Sequence, residues 1–403
     1  MKTAVIVDGL RTPFCKAGSA FAGLSAADLG RVVVTSLLAR TGLDPAVIDH
    51  VIFGCVSQPA DTANIARVIA LRSGIPESVP AVSVHRNCAS GMEAVTTAVE
   101  KMATGQGDIF LVGGTESMSH MPLLFNDRSS AKFAQLARAK SLGHRLRAMM
   151  KFRPADFAPV PAIKLGLTDP VVGVNMGETA ELLAREYGIS RPDQDAFAVR
   201  SHQHAVAGRE SLAREICPVF INGKPVTEDN GVRPDSSLEA LARLSPVFEK
   251  KCGTVTAGNS SQISDGAVAL LIMSEERAEA LGMEPLGRIE RFAYAGCDPR
   301  RMGLGPVNAI ARAGRAVSDA EVIEVNEAFA AQTIAVSKAL GGLPEDVLNP
   351  NGGAIALGHP VGASGARIIL TCLHELNRRK AHTGLATLCV GGGQGGAVWL
   401  ERN

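Results

Sequence analysis

The stretch CASGMEAVTTAVEKMA at residues 88–103 decides the fold, because a second copy of its pattern, GASGARIILTCLHELN, occurs at residues 362–377. Two further blocks repeat in the same order around these copies: GIPESV at 74–79 with GLPEDV at 342–347, and FLVGGTES at 110–117 with LCVGGGQG at 388–395. Glycine-rich turns between strands and helices look alike in many proteins, which is the alternative explanation. Three matched blocks in one order favour an internal duplication.

The segments around the repeats alternate between predicted strands and predicted helices. Residues 48–54 and 320–329 are apolar runs that predict buried strands. Residues 25–42 begin with a serine and end with a glycine, so they predict a helix with both boundaries marked. We therefore expect an α/β fold made of two halves of related topology.

The domain organisation follows from the duplication. We assign residues 1–121 to an N-terminal half and residues 276–403 to a C-terminal half. Residues 122–253, with helical stretches and proline-rich connectors, predict an insertion that lies over the α/β core. Residues 254–275 return to strand-like apolar character and are expected to complete the first half.

The composition excludes several classes of function. The chain has 41 basic and 40 acidic residues, a formal net charge of +1, so nothing global indicates binding to nucleic acid. No apolar run approaches the roughly 20 residues that span a bilayer, and the N-terminal residues lack the pattern of a signal peptide. We expect a cytoplasmic, unprocessed protein.

The eight cysteines are scattered, with no CxxC pair and no histidine cluster at metal-ligand spacing. We therefore expect neither a disulfide framework nor a metal site. A reducing compartment fits best, and it leaves individual thiols free for chemistry.

Cys88 is a candidate nucleophile because it lies between a predicted strand and the N-terminus of a predicted helix, where free N–H groups stabilise a thiolate. The alternative is a small buried hydrophobic residue, as most free cysteines are. His359 occupies the matching place in the second copy. Two halves packed face to face would bring this pair to one pseudo-twofold axis, where an imidazole can activate a thiol.

Cys389 is a second candidate thiol. It follows the strand-like LATL and precedes GGGQGG at 391–396. A backbone this rich in glycine can approach a ligand closely and can expose N–H groups that bind an oxyanion. The alternative is a tight strand-to-turn junction with no ligand.

Five segments together resemble the signature blocks of the thiolase family, in the family order: NCASG at 87–91, TVTAGNSSQISDGA at 254–267, VNEAFA at 325–330, GGAIALGHPVGASGAR at 352–367 and CVGGGQGGA at 389–397. The resemblance extends from RTPF near the start to the last predicted strand. It implies the duplicated, five-layered αβαβα thiolase-like fold, with two related mixed β-sheet halves and an inserted loop domain, residues 122–253, that covers the substrate. It also implies that the chain is an acyltransferase.

The resemblance implies roles for single residues. Cys88 would be the nucleophile, His359 the base that activates it and Cys389 the second acid/base. One oxyanion hole would consist of His359 and a water held by Asn326, and the other of the backbone N–H groups of Cys88 and Gly391. The implied substrate-binding residues are Ser261 along the pantetheine arm of CoA, Met302 in the acyl pocket, Met176 and Ala257.

The reaction implied is thiolytic cleavage of 3-ketoacyl-CoA by CoA in fatty-acid β-oxidation. No metal or redox cofactor is expected, since CoA and acyl-CoA are substrates. The alternative is a biosynthetic acetoacetyl-CoA thiolase. Short-chain enzymes of that kind have a histidine before a Met-Gly pair, whereas Asn175 stands there in this chain. We therefore expect a different wall of the acyl pocket and a medium or long acyl chain.

Residues 128–153 contain eight Lys or Arg and no Asp or Glu, interleaved with apolar residues, which predicts a basic amphipathic helix. The surrounding stretch, 121–157, resembles the β-subunit of the fatty-acid oxidation trifunctional enzyme. Three interpretations stay open. The segment is a solvated face or attracts the CoA phosphates, it contacts a partner α-subunit, or it makes peripheral contact with an anionic membrane.

The resemblance further implies a homodimer, a homotetramer or an α2β2 complex. Two rival classes of protein have related folds. Decarboxylating ketosynthases pair one cysteine with two histidines or with His and Asn, and Cys389 and the NEAF block argue against them. A non-catalytic lipid-binding or scaffold member would be expected to lose Cys88, His359 or Cys389, and all three are present.

Overall fold

The computed structural model describes residues 2–402. Within that range there are fourteen strands and fifteen α-helices. The strands are β1 Ala4–Arg11, β2 Cys15–Lys16, β3 His50–Gly54, β4 Ala81–Val84, β5 Ile109–Ser117, β6 Leu123–Leu124, β7 Val160–Pro161, β8 Val219–Ile221, β9 Lys224–Val226, β10 Ser264–Ser274, β11 Gly287–Gly296, β12 Val322–Val325, β13 Thr383–Val390 and β14 Gln394–Glu401. The helices are α1 Ala26–Thr41, α2 Ile65–Arg72, α3 Ser90–Ala103, α4 Asp127–Ala137, α5 Leu142–Met149, α6 Ala162–Gly166, α7 Met176–Glu186, α8 Arg191–Ala207, α9 Arg209–Ala213, α10 Leu238–Ala242, α11 Glu275–Ala280, α12 Gly305–Ala313, α13 Ala330–Ala339, α14 Ala354–Leu357 and α15 Val361–Arg379.

Helix α1 shows how local sequence signals set an element's boundaries. Ser25 Oγ accepts a hydrogen bond from Asp28 N at 3.1 Å, and the Asp28 carboxylate accepts one from Ser25 N at 3.1 Å. This capping box begins the helix. Gly42 ends it with a φ of 65°, a left-handed conformation that favours glycine. The helix predicted at 25–42 is confirmed.

The strand predicted at 320–329 is shorter than expected. Strand β12 ends at Val325, and residues 326–329 form a turn in which Ala328 N donates to Asn326 O at 3.0 Å. The apolar composition of residues 320–329 predicted a longer strand. It was wrong about the end, because the spacing of apolar residues does not show where the backbone leaves the sheet.

The strands of the two halves are arranged with the same local pattern. Their order is β12-β13-β14-β11-β1-β10-β5-β3-β4. In the first half, β5 is parallel to β3 and antiparallel to β10; in the second, β13 is parallel to β12 and antiparallel to β14. The two runs meet where Val5 and Ile6 of β1 pair with Arg288 and Gly287 of β11. A repeated sequence has therefore folded into a repeated sheet.

Helices cover both faces of each run of strands. Along β1, Val5 and Val7 pack in an outer apolar cluster with α1 and α2, whereas Ile6 packs in an inner cluster. The inner cluster contains α3 and α15 together with strands from both halves. Helix α12 packs on the far side of the second half, around Trp399. Five layers result, which confirms the fold expected from the sequence.

Helices α3 and α15 cross at the glycines of the repeated motif. A Cβ at Gly91 would lie 2.9 Å from Gly362 O, and a Cβ at Gly365 would lie 2.5 Å from Met92 N. The two backbones therefore approach as closely as they do only because these positions carry no side chain. The crossing brings together the N-termini of both central helices.

The inserted segment holds β6–β9 and α4–α10. The single basic helix predicted at 128–153 is instead two helices, α4 and α5, because Ser141 begins a new one by accepting a hydrogen bond from His144 N at 3.3 Å. Farther along, residues 254–263 form a loop and β10 lies between β1 and β5. No helix within residues 2–402 is long and apolar enough to cross a membrane.

Candidate active site

Cys88 lies in a strained turn between β4 and α3. The residue before it, Asn87, has a φ of 44°, a left-handed conformation that asparagine tolerates better than most residues. Asn87 Nδ2 donates to Gly391 O at 2.7 Å, and Ser90 Oγ donates to Asn87 O at 2.7 Å. These hydrogen bonds hold the turn that presents Cys88 to the glycine run of the second half.

The Cys88 thiol faces two backbone N–H groups. Burial raises the pKa of Cys88 above its usual value, and hydrogen bonding to the N–H groups of Gly391 and of Cys88 itself offsets part of this pKa rise. The same two groups are those expected from the sequence to bind an oxyanion. Because a thiol with a raised pKa is protonated near neutral pH, attack by Cys88 requires a base.

His359 carries a neutral imidazole near the same helix crossing. Its Nδ1 lies 2.7 Å from Ser364 Oγ, and Ser364 Oγ donates its own proton to Pro360 O at 3.0 Å. The hydroxyl therefore accepts from Nδ1–H, which leaves the lone pair on Nε2. Burial and, after it, the charge of Arg367 lower the pKa of His359 to about 3. Nε2 is buried without a hydrogen-bond partner among residues 2–402, so it is available as a proton acceptor.

Asn326 and Cys389 lie on neighbouring parallel segments. Asn326 N donates to Thr387 O at 3.0 Å, two residues before Cys389. Burial raises the pKa of Cys389 well above its usual value, and the neighbouring thiol of Cys88 raises this pKa further. In the described part of the chain, neither Oδ1 nor Nδ2 of buried Asn326 has a partner. Each such atom costs about 1–3 kcal/mol, which favours binding of a polar ligand or water.

The loop at 254–263 connects the Asn326 turn with the His359 turn. On one side Ser261 N donates to Ala328 O at 3.0 Å. On the other, Ile263 forms a bridge with His359. Together with the helix crossing, this loop makes the segments that carry Cys88, Asn326, His359 and Cys389 converge on one region.

A cavity of about 250 Å³ opens beside Cys88. Its walls are mostly apolar and come from the first half, the inserted segment and the glycine run; they include Met121, Ile163, Leu167, Met176 and Gly391. A thiol at the side of an apolar cavity is suited to a substrate with an alkyl chain.

The predicted substrate-binding residues occupy different places. Met176 lines the cavity. Met302 is buried and packs in the same apolar cluster as Cys389, outside the lining. Ser261 is half-buried and Ala257 is exposed, and both also lie outside the lining.

Asn175 is a helix cap. Its Oδ1 accepts from Gly177 N at 3.0 Å, and Glu178 Oε2 accepts from Asn175 N at 2.7 Å. This capping box begins α7 and presents Met176 to the cavity. Asn175 itself lies outside the cavity lining, so it affects the cavity wall only through the position of Met176.

Glu116 was missed by the sequence analysis. Its fully buried carboxylate accepts from Val56 N at 3.1 Å, Ser57 N at 2.9 Å and Gly362 N at 2.9 Å. It thus ties a cavity-lining loop of the first half to the first turn of α15, just after His359. Burial raises the pKa of Glu116, and the hydrogen bonds, chiefly from Ser57, offset part of this pKa rise. A lone carboxylate inside the apolar strand FLVGGTES was the available signal.

Two family models together match nearly the whole chain. The family model described as "Thiolase, N-terminal domain" matches residues 4–276, and that described as "Thiolase, C-terminal domain" matches residues 283–402. A Staphylococcus aureus (strain COL) protein named "Probable acetyl-CoA acyltransferase" is 44% identical, with both chains covered completely.

Two solved structures are similar over the whole chain. The Bacillus anthracis acetyl-CoA acetyltransferase is 36% identical with a TM-score of 0.90, covering 100% of this chain and 99% of its own. The human mitochondrial 3-ketoacyl-CoA thiolase in complex with CoA is also 36% identical with a TM-score of 0.90, covering 100% and 98%.

Proposed function

Because the chain belongs to the thiolase family of acyltransferases, we propose that it cleaves 3-ketoacyl-CoA with CoA, releasing acetyl-CoA and an acyl-CoA two carbons shorter. The observation that carries this proposal is the apolar cavity beside Cys88. Its 250 Å³ correspond to about eight water volumes, more than an acetyl group fills. A longer acyl chain is the substrate expected in fatty-acid β-oxidation.

In the first half-reaction, Cys88 attacks the 3-keto carbon while Nε2 of His359 takes the thiol proton. The bond between the α and β carbons then breaks, which leaves the acyl group on Cys88 and releases the enolate of acetyl-CoA. Cys389 donates a proton to that carbanion. Its raised pKa keeps Cys389 protonated until this step.

In the second half-reaction, CoA enters and the Cys389 thiolate takes the proton from the CoA thiol. The CoA sulfur attacks the acyl carbon of the Cys88 thioester, and the bond to Cys88 breaks. His359 returns its proton to Cys88, so the enzyme regains its starting state. Only protons and one acyl group move between side chains and CoA, and we propose that no resident metal or redox cofactor takes part.

Two oxyanion holes stabilise the charge that develops on oxygen. The N–H groups of Cys88 and Gly391 bind the oxyanion of the tetrahedral intermediate on Cys88. Asn326 holds a water that, with His359, binds the thioester oxygen of the enolate. One such donor contributes about 3 kcal/mol of transition-state stabilisation.

We propose a homodimer that pairs through β4. This strand ends the order of the sheet and leads directly into the turn that carries Cys88. An edge strand with a half-buried apolar sequence favours pairing with a second chain, and two-fold symmetry is the commonest arrangement. The mass in solution distinguishes this dimer from a monomer and from a homotetramer.

The second candidate is biosynthetic condensation of two acetyl-CoA molecules, which the similarity to an acetyl-CoA acetyltransferase favours. Steady-state thiolysis of 3-ketoacyl-CoA substrates with four to sixteen carbons separates the two. We expect kcat/KM to increase above four carbons. A strict preference for acetoacetyl-CoA would contradict the degradative assignment.

A further inference from the structure

The side chain of Asn326 is not fixed by any hydrogen bond of its own. Neither its Oδ1 nor its Nδ2 has a protein partner within residues 2–402, although the residue is fully buried. An amide that holds a water for catalysis must nevertheless point in one direction. The position of Asn326 therefore depends on the backbone that carries it and on the residues that hold this backbone.

The backbone just before Asn326 is held by Asn349. Asn349 Oδ1 accepts from Val325 N at 2.8 Å, and Asn349 Nδ2 donates to Val325 O at 2.9 Å. Asn349 has a φ of 47°, a left-handed conformation that asparagine tolerates better than most residues. These two hydrogen bonds fix the last residue of β12, which directly precedes Asn326.

Glu327, the residue directly after Asn326, is fixed by three hydrogen bonds. Its buried carboxylate accepts from Ser201 Oγ at 2.6 Å, from Asn349 Nδ2 at 2.8 Å and from Ile355 N at 3.2 Å. Burial raises the pKa of Glu327, and these hydrogen bonds, that from Ser201 most of all, offset part of this pKa rise. All three partners are donors, so they favour the ionised carboxylate.

The partners of Glu327 belong to two other segments of the chain. Ser201 lies on α8 of the inserted segment, and its hydroxyl also accepts from Gly353 N at 3.1 Å. A Cβ at Gly353 would overlap the carboxyl carbon of Glu327, so only a glycine allows this close approach. Ile355 lies on α14, four residues before His359. The carboxylate thus joins the turn that follows β12 to the inserted segment and to the turn that leads to His359.

His359 has supports that do not involve Glu327. Its backbone N–H donates to Gln262 O at 3.2 Å and to Ser264 Oγ at 3.3 Å, and its Nδ1 donates to Ser364 Oγ. The side chain of Asn326 has no such support. Loss of the hydrogen bonds to Glu327 should therefore displace Asn326 more than it displaces the imidazole of His359.

We propose that Glu327 is a positioning residue for Asn326 and that it acts, through Asn326, on the step that forms the enolate. This inference rests on the proposed function, in which Asn326 holds the water that binds the thioester oxygen of the enolate. Attachment of an acyl group to Cys88 uses the other oxyanion hole, at Cys88 and Gly391. Glu327 should therefore be needed for cleavage of the carbon–carbon bond and much less for transfer of an acyl group between Cys88 and CoA.

The test compares two activities of the full-length protein. The first is thiolysis of 3-ketohexanoyl-CoA, which requires the enolate, and the second is exchange of the acyl group between butanoyl-CoA and labelled CoA, which does not. Glu327→Gln sets an amide N–H against at least one of the three donors, so the framework around Asn326 must shift. We expect kcat for thiolysis to fall about a hundredfold, as for one misplaced oxyanion donor, while its KM changes less than about twofold and acyl exchange less than about threefold.

A milder variant keeps the test valid if Glu327→Gln does not fold. Ser201→Ala removes one hydrogen bond to Glu327 and should lower the ratio of thiolysis to acyl exchange about three- to tenfold. The matched control is Thr371→Val, which removes a hydroxyl that donates to another buried carboxylate, that of Glu215, at 2.9 Å. This control should keep the ratio of the wild type. Circular dichroism spectra show whether each variant is folded.

A selective loss of thiolysis in Glu327→Gln, and a smaller one in Ser201→Ala, would support the proposal. A parallel fall of both activities would overturn it, because a merely structural role does not distinguish the two reactions. An unchanged ratio in both variants would also overturn it, and would leave the proposed function intact if Asn326→Ala still lost thiolysis selectively. If Asn326→Ala itself kept the ratio of the wild type, the oxyanion hole of the proposed function would be wrong, and this inference with it.

Discussion

Filling the cavity beside Cys88 should remove the preference for longer acyl chains that the proposed function predicts. Gly166 lines the cavity at the end of α6, and a Cβ built there meets no other atom within 4 Å. Its φ is not in the left-handed region, so a side chain causes no backbone strain. Gly166→Phe therefore adds an aromatic ring beside the cavity with little disturbance of the fold.

The magnitude follows from the burial of methylene groups. Each buried methylene contributes about 0.8 kcal/mol, or about fourfold in kcat/KM. Between the four-carbon and eight-carbon 3-ketoacyl-CoA substrates, four methylenes enter the cavity, so the wild type should gain up to about 200-fold. In Gly166→Phe the gain should fall below about tenfold, while kcat/KM for the four-carbon substrate changes by less than about threefold.

The assay is steady-state thiolysis with both substrates, and Gly23→Phe is the matched control. Gly23 also has open space around its Cβ but lies outside the cavity lining. The control should keep the chain-length ratio of the wild type. An unchanged ratio in Gly166→Phe would refute the assignment of this cavity to the acyl chain.

Three further predictions concern Cys389, His359 and Glu116. Cys389→Ala should still form the acyl-enzyme on Cys88 from a simple acyl-CoA, detected by mass spectrometry, while turnover falls at least a thousandfold; retained turnover would exclude Cys389 as the second acid/base. Because the pKa of His359 falls to about 3 in the folded state and is near 6.5 when unfolded, its contribution to stability is complete above pH 6.5 and is lost as the pH falls toward 3. Between pH 7 and pH 4.5, the free energy of unfolding of the wild type should therefore fall by about 2–3 kcal/mol more than that of His359→Gln, as measured by urea denaturation. An equal fall in both proteins would contradict this. Glu116→Gln places an amide N–H beside buried N–H donors, so kcat should fall about tenfold or more. The control is Glu186→Gln, which removes one carboxylate of a surface ion pair with Arg301 and should leave kcat unchanged.

Local signals and the internal repeat were enough to predict two related α/β halves, and the resemblance to the thiolase family added the five-layered arrangement. The repeated CASG and GASG blocks predicted two related halves, and the Ser25 and Gly42 signals predicted the ends of α1. The same signals failed where an element ends by leaving its sheet, as at Asn326, or where a serine restarts a helix, as at Ser141. Both predictions failed because the spacing of apolar residues indicates which side chains are buried and does not indicate where the backbone turns.

By itself, the sequence determined the duplication, the candidate thiols Cys88 and Cys389 and the candidate base His359, because residue type and spacing carry that information. Tertiary structure alone decided which nitrogen of His359 is free, since Ser364 and Pro360 fix the tautomer through hydrogen bonds. It alone decided that Glu116 joins two segments 306 positions apart, Val56 and Gly362. It also decided that Leu142, Leu146 and Met149 of α5 are exposed to solvent, because the amphipathic pattern is the same whether a helix turns its apolar face to the core or to solvent.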